Sequence, residues 1–103
     1  MGIAFGKFTP KDWHRMASWS YGGFARFAER LGKKEPGSPL ERLQNIEAKG
    51  EFTADECRQI APVLAMAIID WPENSEDVDR QQALLLIRQM RQAALARESL
   101  PYG

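Results

Sequence analysis

The sequence holds one cysteine, Cys57, and one histidine, His14, among 103 residues. A single thiol excludes an intrachain disulfide. With one imidazole it also falls short of the Cys/His sets that hold structural zinc. Net charge is missing as well, because 14 basic residues balance 14 acidic ones. A dedicated nucleic-acid binder meets its phosphates with a basic excess, so that class is disfavoured. Long apolar runs are absent: the longest, Val63 to Ile69 and Ala83 to Ile87, fall far short of the roughly 20 residues of a membrane-spanning helix. No secretory leader pattern opens the chain, and a cytoplasmic location is expected. Tyr21-Gly22-Gly23-Phe24 lacks the spacing and the Lys-Ser/Thr ending of a phosphate loop.

What is present is a chain that is 44% hydrophobic, enough for one globular domain over residues 1–103. Three segments place Ser or Thr three residues before Asp or Glu, the reciprocal capping box that starts a helix. They are Thr9-Pro10-Lys11-Asp12, Ser38-Pro39-Leu40-Glu41 and Thr53-Ala54-Asp55-Glu56. In the first two, proline stands at the first helical position, where its missing N–H costs nothing.

Helices are therefore expected over about 10–18, 20–31, 39–48, 54–70 and 75–97. In the second, Tyr21, Phe24, Phe27, Ala28 and Leu31 recur at the spacing of a buried stripe. Gly32 marks its end and Glu35-Pro36-Gly37 a linker. The third sets Leu40, Leu43 and Ile46 or Glu47 on successive turns and ends at Gly50. The fourth buries Ile60, Val63, Leu64, Ala67 and Ile68, with a kink or break expected at Pro62 and an end at Trp71-Pro72. The last has a broad apolar arc from Val78 to Ala94. Ile3 and Phe5 suggest a short extended arm. The expected fold is all-α, a bundle of four to five helices with this arm packed on it.

Charge and aromatic rings are unevenly placed. Residues 1–34 carry a net +5, residues 35–79 a net −8 and residues 80–103 a net +3, and seven of the ten aromatic residues lie in the first 27 positions. Rings interleaved with cations can stack single-stranded nucleic acid, but their helical spacing favours burial of most of them in a core. Trp13 and Trp19 fit the core stripe least well and are candidate surface anchors, with Arg26 and Arg30 beside them, since Trp and Arg dominate binding hot spots. On the last helix Arg80, Leu84, Arg88, Arg91 and Leu95 share one face, within about 80° on a helical wheel. Leucines alternating with arginines suit a protein contact. The plainer reading is a solvated face whose arginine stems cover apolar surface.

Candidate chemistry is sparse. A Cys57–His14 nucleophilic pair is conceivable across the fold, with the start of a helix favouring the thiolate, but nothing local resembles a nucleophile setting. Asp70, Glu73, Glu76, Asp77 and Asp79 lack the alternating oxygens and central glycine of a calcium loop. They read as a solvated turn leading into a helix. Gly22 and Gly23 suggest close approach by another element. Neither a catalytic residue, nor a metal, nor a cofactor is expected.

The block Trp19-Ser20-Tyr21-Gly22-Gly23-Phe24-Ala25-Arg26-Phe27-Ala28-Glu29-Arg30-Leu31, followed by Phe52-Thr53-Ala54-Asp55-Glu56-Cys57, resembles small bacterial helical proteins to which no function is assigned. The resemblance covers about residues 19–95. Ala28 stands where that block often has a charged residue. The resemblance implies a helical fold and contributes no activity, cofactor or catalytic residue.

The expectation from sequence is thus a non-enzymatic protein-binding module of the inhibitor, immunity or accessory type. Its partner is another protein, with self-association of the near-neutral chain as a further expectation and no membrane partner. The alternatives are a nucleic-acid binder using Lys7, Lys11, Arg15, Arg26, Arg30, Lys33 and Lys34, and an enzyme using Cys57 and His14.

Overall fold

The computed structural model describes residues 2–6, 16–31, 39–44, 46, 50–69, 71 and 78–103. In chain order the elements are β1 (Gly2–Ala4), β2 (Ser18–Ser20), α1 (Tyr21–Arg30), α2 (Glu41–Gln44), β3 (Gly50–Phe52), α3 (Ala54–Ala67), α4 (Val78–Ala96) and β4 (Leu100–Tyr102). The all-α expectation is overturned. Among the described residues four helices are joined by two small antiparallel two-stranded sheets, β1 with β2 and β3 with β4, so the fold is mixed α and β.

The extended arm is real, but it is a paired strand. Ile3 stands opposite Trp19, and Ala4 opposite Ser18. Ile3, Phe5, Ala17 and Trp19 are buried while Gly2, Ser18 and Ser20 are exposed, the period-2 alternation of a one-sided sheet. On its other side the same segment meets the chain after α4. The Ala4 and Gly103 backbones exchange hydrogen bonds at 3.0 and 3.1 Å, and the Gly6 N–H donates to the Pro101 carbonyl at 2.7 Å. These bonds and a Phe5–Tyr102 bridge join the two sheets in the lateral order β2-β1-β4-β3.

At the next position along β1 the ladder is closed by a side chain. The Phe5 N–H donates directly to the Ala17 carbonyl at 2.9 Å. The return bond is carried by Gln89 of α4: its Nε2 donates to the Phe5 carbonyl at 2.6 Å, and its Oε1 accepts from the Ala17 N–H at 3.0 Å. A primary amide has the same donor and acceptor as a peptide group, so it can replace one rung. Two turns earlier, Gln82 Oε1 accepts from the outward-facing Ser18 N–H at 2.9 Å and covers the β2 edge.

Of the helix expected over 10–18, only 16–18 fall among the described residues, and there the chain is not helical, with Ser18 opening β2. The second helix forms as expected. It is capped by Ser20, whose Oγ accepts from the Gly23 N–H at 3.0 Å. A Cβ on Gly23 would lie 2.7 Å from that Oγ, so this glycine admits its own cap and not a foreign element. The third helix is shorter than expected, four residues. The Thr53 box is present in full: Thr53 Oγ1 accepts from the Glu56 N–H at 3.1 Å, and Glu56 Oε1 accepts from the Thr53 N–H at 2.9 Å. The break expected at Pro62 does not occur, and α3 continues to Ala67. Pro62 is exposed, so the Arg58 carbonyl that loses its helical donor lies on the solvent side. The Thr9 box, Ser38, Gly32 and the linker at 35–37 lie outside the described residues.

The core is centred on Phe5, which has no exposed surface. Its ring lies 5.8–6.0 Å from those of Trp19, Phe24, Phe52 and Tyr102. Around this aromatic centre pack Leu40, Leu43, Ile60, Leu64, Leu86 and Met90. Burying each such side chain is worth about 1.5–3 kcal/mol. Arg42 locks one side. Its guanidinium lies 4.8 Å from the Phe52 ring centre and donates to Glu56 Oε2 at 3.2 Å. It also reaches the Glu51 carbonyl and the Tyr102 hydroxyl, each at 3.4 Å.

Gly6 has φ +106°, and a Cβ there would lie 2.6 Å from Gln89 Nε2. Gly6→Ala should therefore cost about 2 kcal/mol through strain and displacement of the Gln89 amide. Denaturant unfolding of Gly6→Ala, Gln89→Ala and the double variant checks this. The double variant should lose at least ~0.5 kcal/mol less than the two singles added together; simple additivity would contradict a shared contact.

Candidate functional site

Helix α4 has two polar faces with different work. Gln82 and Gln89 face the sheet, as described above, beside the buried Ala83, Leu86, Ile87, Met90 and Ala93. On the opposite side lie the arginines and leucines singled out from the sequence. Leu84 is 45% exposed and Leu95 87%, and Arg88 and Arg91 are exposed between them. Neither arginine has an ion-pair partner among the described residues. Arg80, at the head of the stripe, is half-buried and engaged within the fold. The accessible part of the stripe is thus Leu84, Arg88, Arg91 and Leu95, within about 60° of one another on the helix.

The other candidates separate. Trp19 is 6% exposed. It stacks on Phe27 with ring centres 4.8 Å apart, and its Nε1–H donates to Asp79 Oδ1 at 3.1 Å. It is a core residue and not a surface anchor. Asp79 also accepts from Arg30 Nη1 at 3.4 Å, and Arg30 lies over the half-buried Trp71 ring at 4.1 Å. Asp79 and Arg30 therefore fasten the start of α4 to α1, and Asp79 is the one residue of the acidic run among those described. Arg26 is exposed on α1. Trp13, His14, Lys7, Lys11, Arg15, Lys33 and Lys34 lie outside the described residues. The stacking platform weighed for nucleic acid loses Trp19, Phe24 and Phe27, all buried.

Sequence reasoning missed two features of the surface. Met66 and Ile69, at the end of α3, are 68% and 63% exposed. For Met66 the available signal was its position opposite Cys57 and Leu64 on a helical wheel, hidden by the unbroken apolar run around it. A shallow cleft of about 420 Å³ is lined by Thr53, Ala54, Asp55 and Arg58 of the α3 start and by Ala94 and Arg97 after it. The first turn of α3 and the last turn of α4 meet at this cleft.

Cys57 is buried as a neutral thiol. The side chain has no exposed surface, and burial pushes the thiol from 9.0 up to about 11, with the nearby Glu56 charge adding to the rise. Desolvation outweighs the pull of the helix start toward the thiolate. Among the described residues, no three His, Cys, Asp or Glu side chains form a metal-holding group, and no helix is long and apolar enough to cross a membrane. No protein-family model matches the chain, and neither curated proteins nor solved structures give a match.

The Cys57 shift sets a pH dependence. The unfolded thiol ionises near its ordinary 9.0 and the folded one near 11, so folding favours the neutral form. That contribution is complete below pH 9.0 and is lost as pH rises to about 11. The stability difference between wild type and Cys57→Ala, measured by urea unfolding across this range, should shrink with rising pH. A constant difference would contradict a buried neutral thiol.

Proposed function

We propose that the protein is a non-enzymatic, cytoplasmic protein-binding module of the inhibitor, immunity or accessory kind, and that it binds through the outer face of α4. The observation that carries this reading is the exposure of Leu84 and Leu95 on the same face as Arg88 and Arg91. An isolated exposed leucine needs no explanation. Two leucines on one helix face, spaced by arginines that no acid among the described residues engages, form the mixed apolar and cationic surface that interface cores and their surroundings favour. The inner face of α4 supports the reading too, because Gln82, Gln89 and the buried apolar residues hold the helix rigidly on the sheet. A preorganised face loses little entropy on binding.

The test is affinity capture from native lysate by wild type and by Leu84→Ser/Leu95→Ser, with circular dichroism confirming that the variant folds. A protein retained by wild type and lost from the variant is the expected outcome. Capture that is indifferent to the substitutions, or absent, would remove the reading. Wild type and variant should unfold within about 0.5 kcal/mol of each other, as surface substitutions do.

A further inference from the structure

Resting on the reading of α4 as a binding face, we infer that its partner is an acidic amphipathic helix of another protein, with apolar residues three turns apart and carboxylates between them. Leu84 and Leu95 are eleven residues apart, about 16 Å along the helix axis. Arg88 and Arg91 stand four and seven positions after Leu84. The pattern apolar, cation, cation, apolar thus reads the same in both directions. A helix laid along it offers side chains at matching intervals of three and four residues. Glutamates at its two inner positions would meet Arg88 and Arg91, which lack intrachain ion pairs among the described residues and can each engage a carboxylate with two donors.

The same spacing disfavours a second copy of this chain. In a two-fold antiparallel pairing of α4 faces, Leu84 would pack on Leu95 of the other copy. Arg88 would then lie opposite Arg91 in both halves of the interface. An isologous contact repeats every pairing, so four uncompensated cations would be brought together, and like charges at close range reject a partner. Strand addition is not on offer at the positions where side chains occupy the sheet edges: Gln82 takes the Ser18 N–H, and Arg42 takes the Glu51 carbonyl. Two cations at the centre of the face also interrupt the continuous apolar strip on which an interfacial membrane helix rests.

The experiment uses fluorescently labelled synthetic helical peptides and the full chain, read by anisotropy. One peptide carries two leucines eleven positions apart, with glutamates four and seven positions after the first. A second carries lysines in place of those glutamates. The glutamate peptide should bind at least tenfold more tightly than the lysine peptide. Arg88→Glu/Arg91→Glu should invert that order, and Leu84→Ser/Leu95→Ser should weaken the glutamate peptide at least tenfold. Equal affinity for the two peptides, no binding of the glutamate peptide, or its complete displacement by oligothymidylate or by phosphatidylserine vesicles would overturn the inference. If the glutamate peptide fails while lysate capture still depends on Leu84 and Leu95, the face binds protein of another chemistry and only this inference falls. If both fail, the binding-module reading falls with it.

Discussion

The Gln89 side chain stands between Phe5 and Ala17 as a peptide group would, and through it α4 is built into the sheet as well as packed on it. Its amide accepts from the one N–H and donates to the one carbonyl of that rung that would otherwise lack partners. Leaving such groups unpaired in a partly buried site would cost about 1–3 kcal/mol each. Gly6 must follow directly, because its φ of +106° turns the chain away and no side chain fits beside the amide. Phe5 is held at this junction by β2 on one side, by residues 101–103 on the other and by Gln89. Its ring is consequently placed where Trp19, Phe24, Phe52 and Tyr102 converge.

The consequence for function is a division of labour around one helix. The inner face of α4 is committed to the sheet, to α3 and, through Asp79, to Trp19 and Arg30. Toward the sheet its polar residues, Gln82 and Gln89, are neutral amides, which satisfy backbone groups without the desolvation penalty of a buried charge. Its arginines at positions 88 and 91 are left on the outer face, where no acid among the described residues draws them in. The binding reading rests on that asymmetry.

Much of the helical framework was legible in the sequence, because its signals are local. The Thr53–Glu56 box marked the start of α3, and the stripe of Phe24, Phe27 and Leu31 marked α1. The strands were not legible, for a physical reason. Each is three residues long, too short for an alternating pattern to stand out. Pro101 argues against a strand, and is tolerated because the ladder to Gly6 ends there, where no N–H is needed. Trp19 was misplaced for the same cause: between Ser18 and Ser20 it is the single inward residue of a strand, and its partner Ile3 is distant in sequence. In the candidate face, the spacing of Leu84, Arg88, Arg91 and Leu95 was readable from the helix period. The engagement of Arg80 within the fold depends on tertiary packing, and no local pattern carries it.

Amide hydrogen exchange followed by NMR measures the central junction most directly. Buried, fully paired amides exchange only when the structure that pairs them opens. If Gln89 closes the ladder as described, the Phe5, Gly6 and Ala17 amides should be protected to the same opening free energy as Leu86 and Ile87 in the middle of α4, and should lose that protection together in Gln89→Ala. Exchange of Phe5 and Ala17 orders of magnitude faster than that of the helix, with Gln89 intact, would contradict the account.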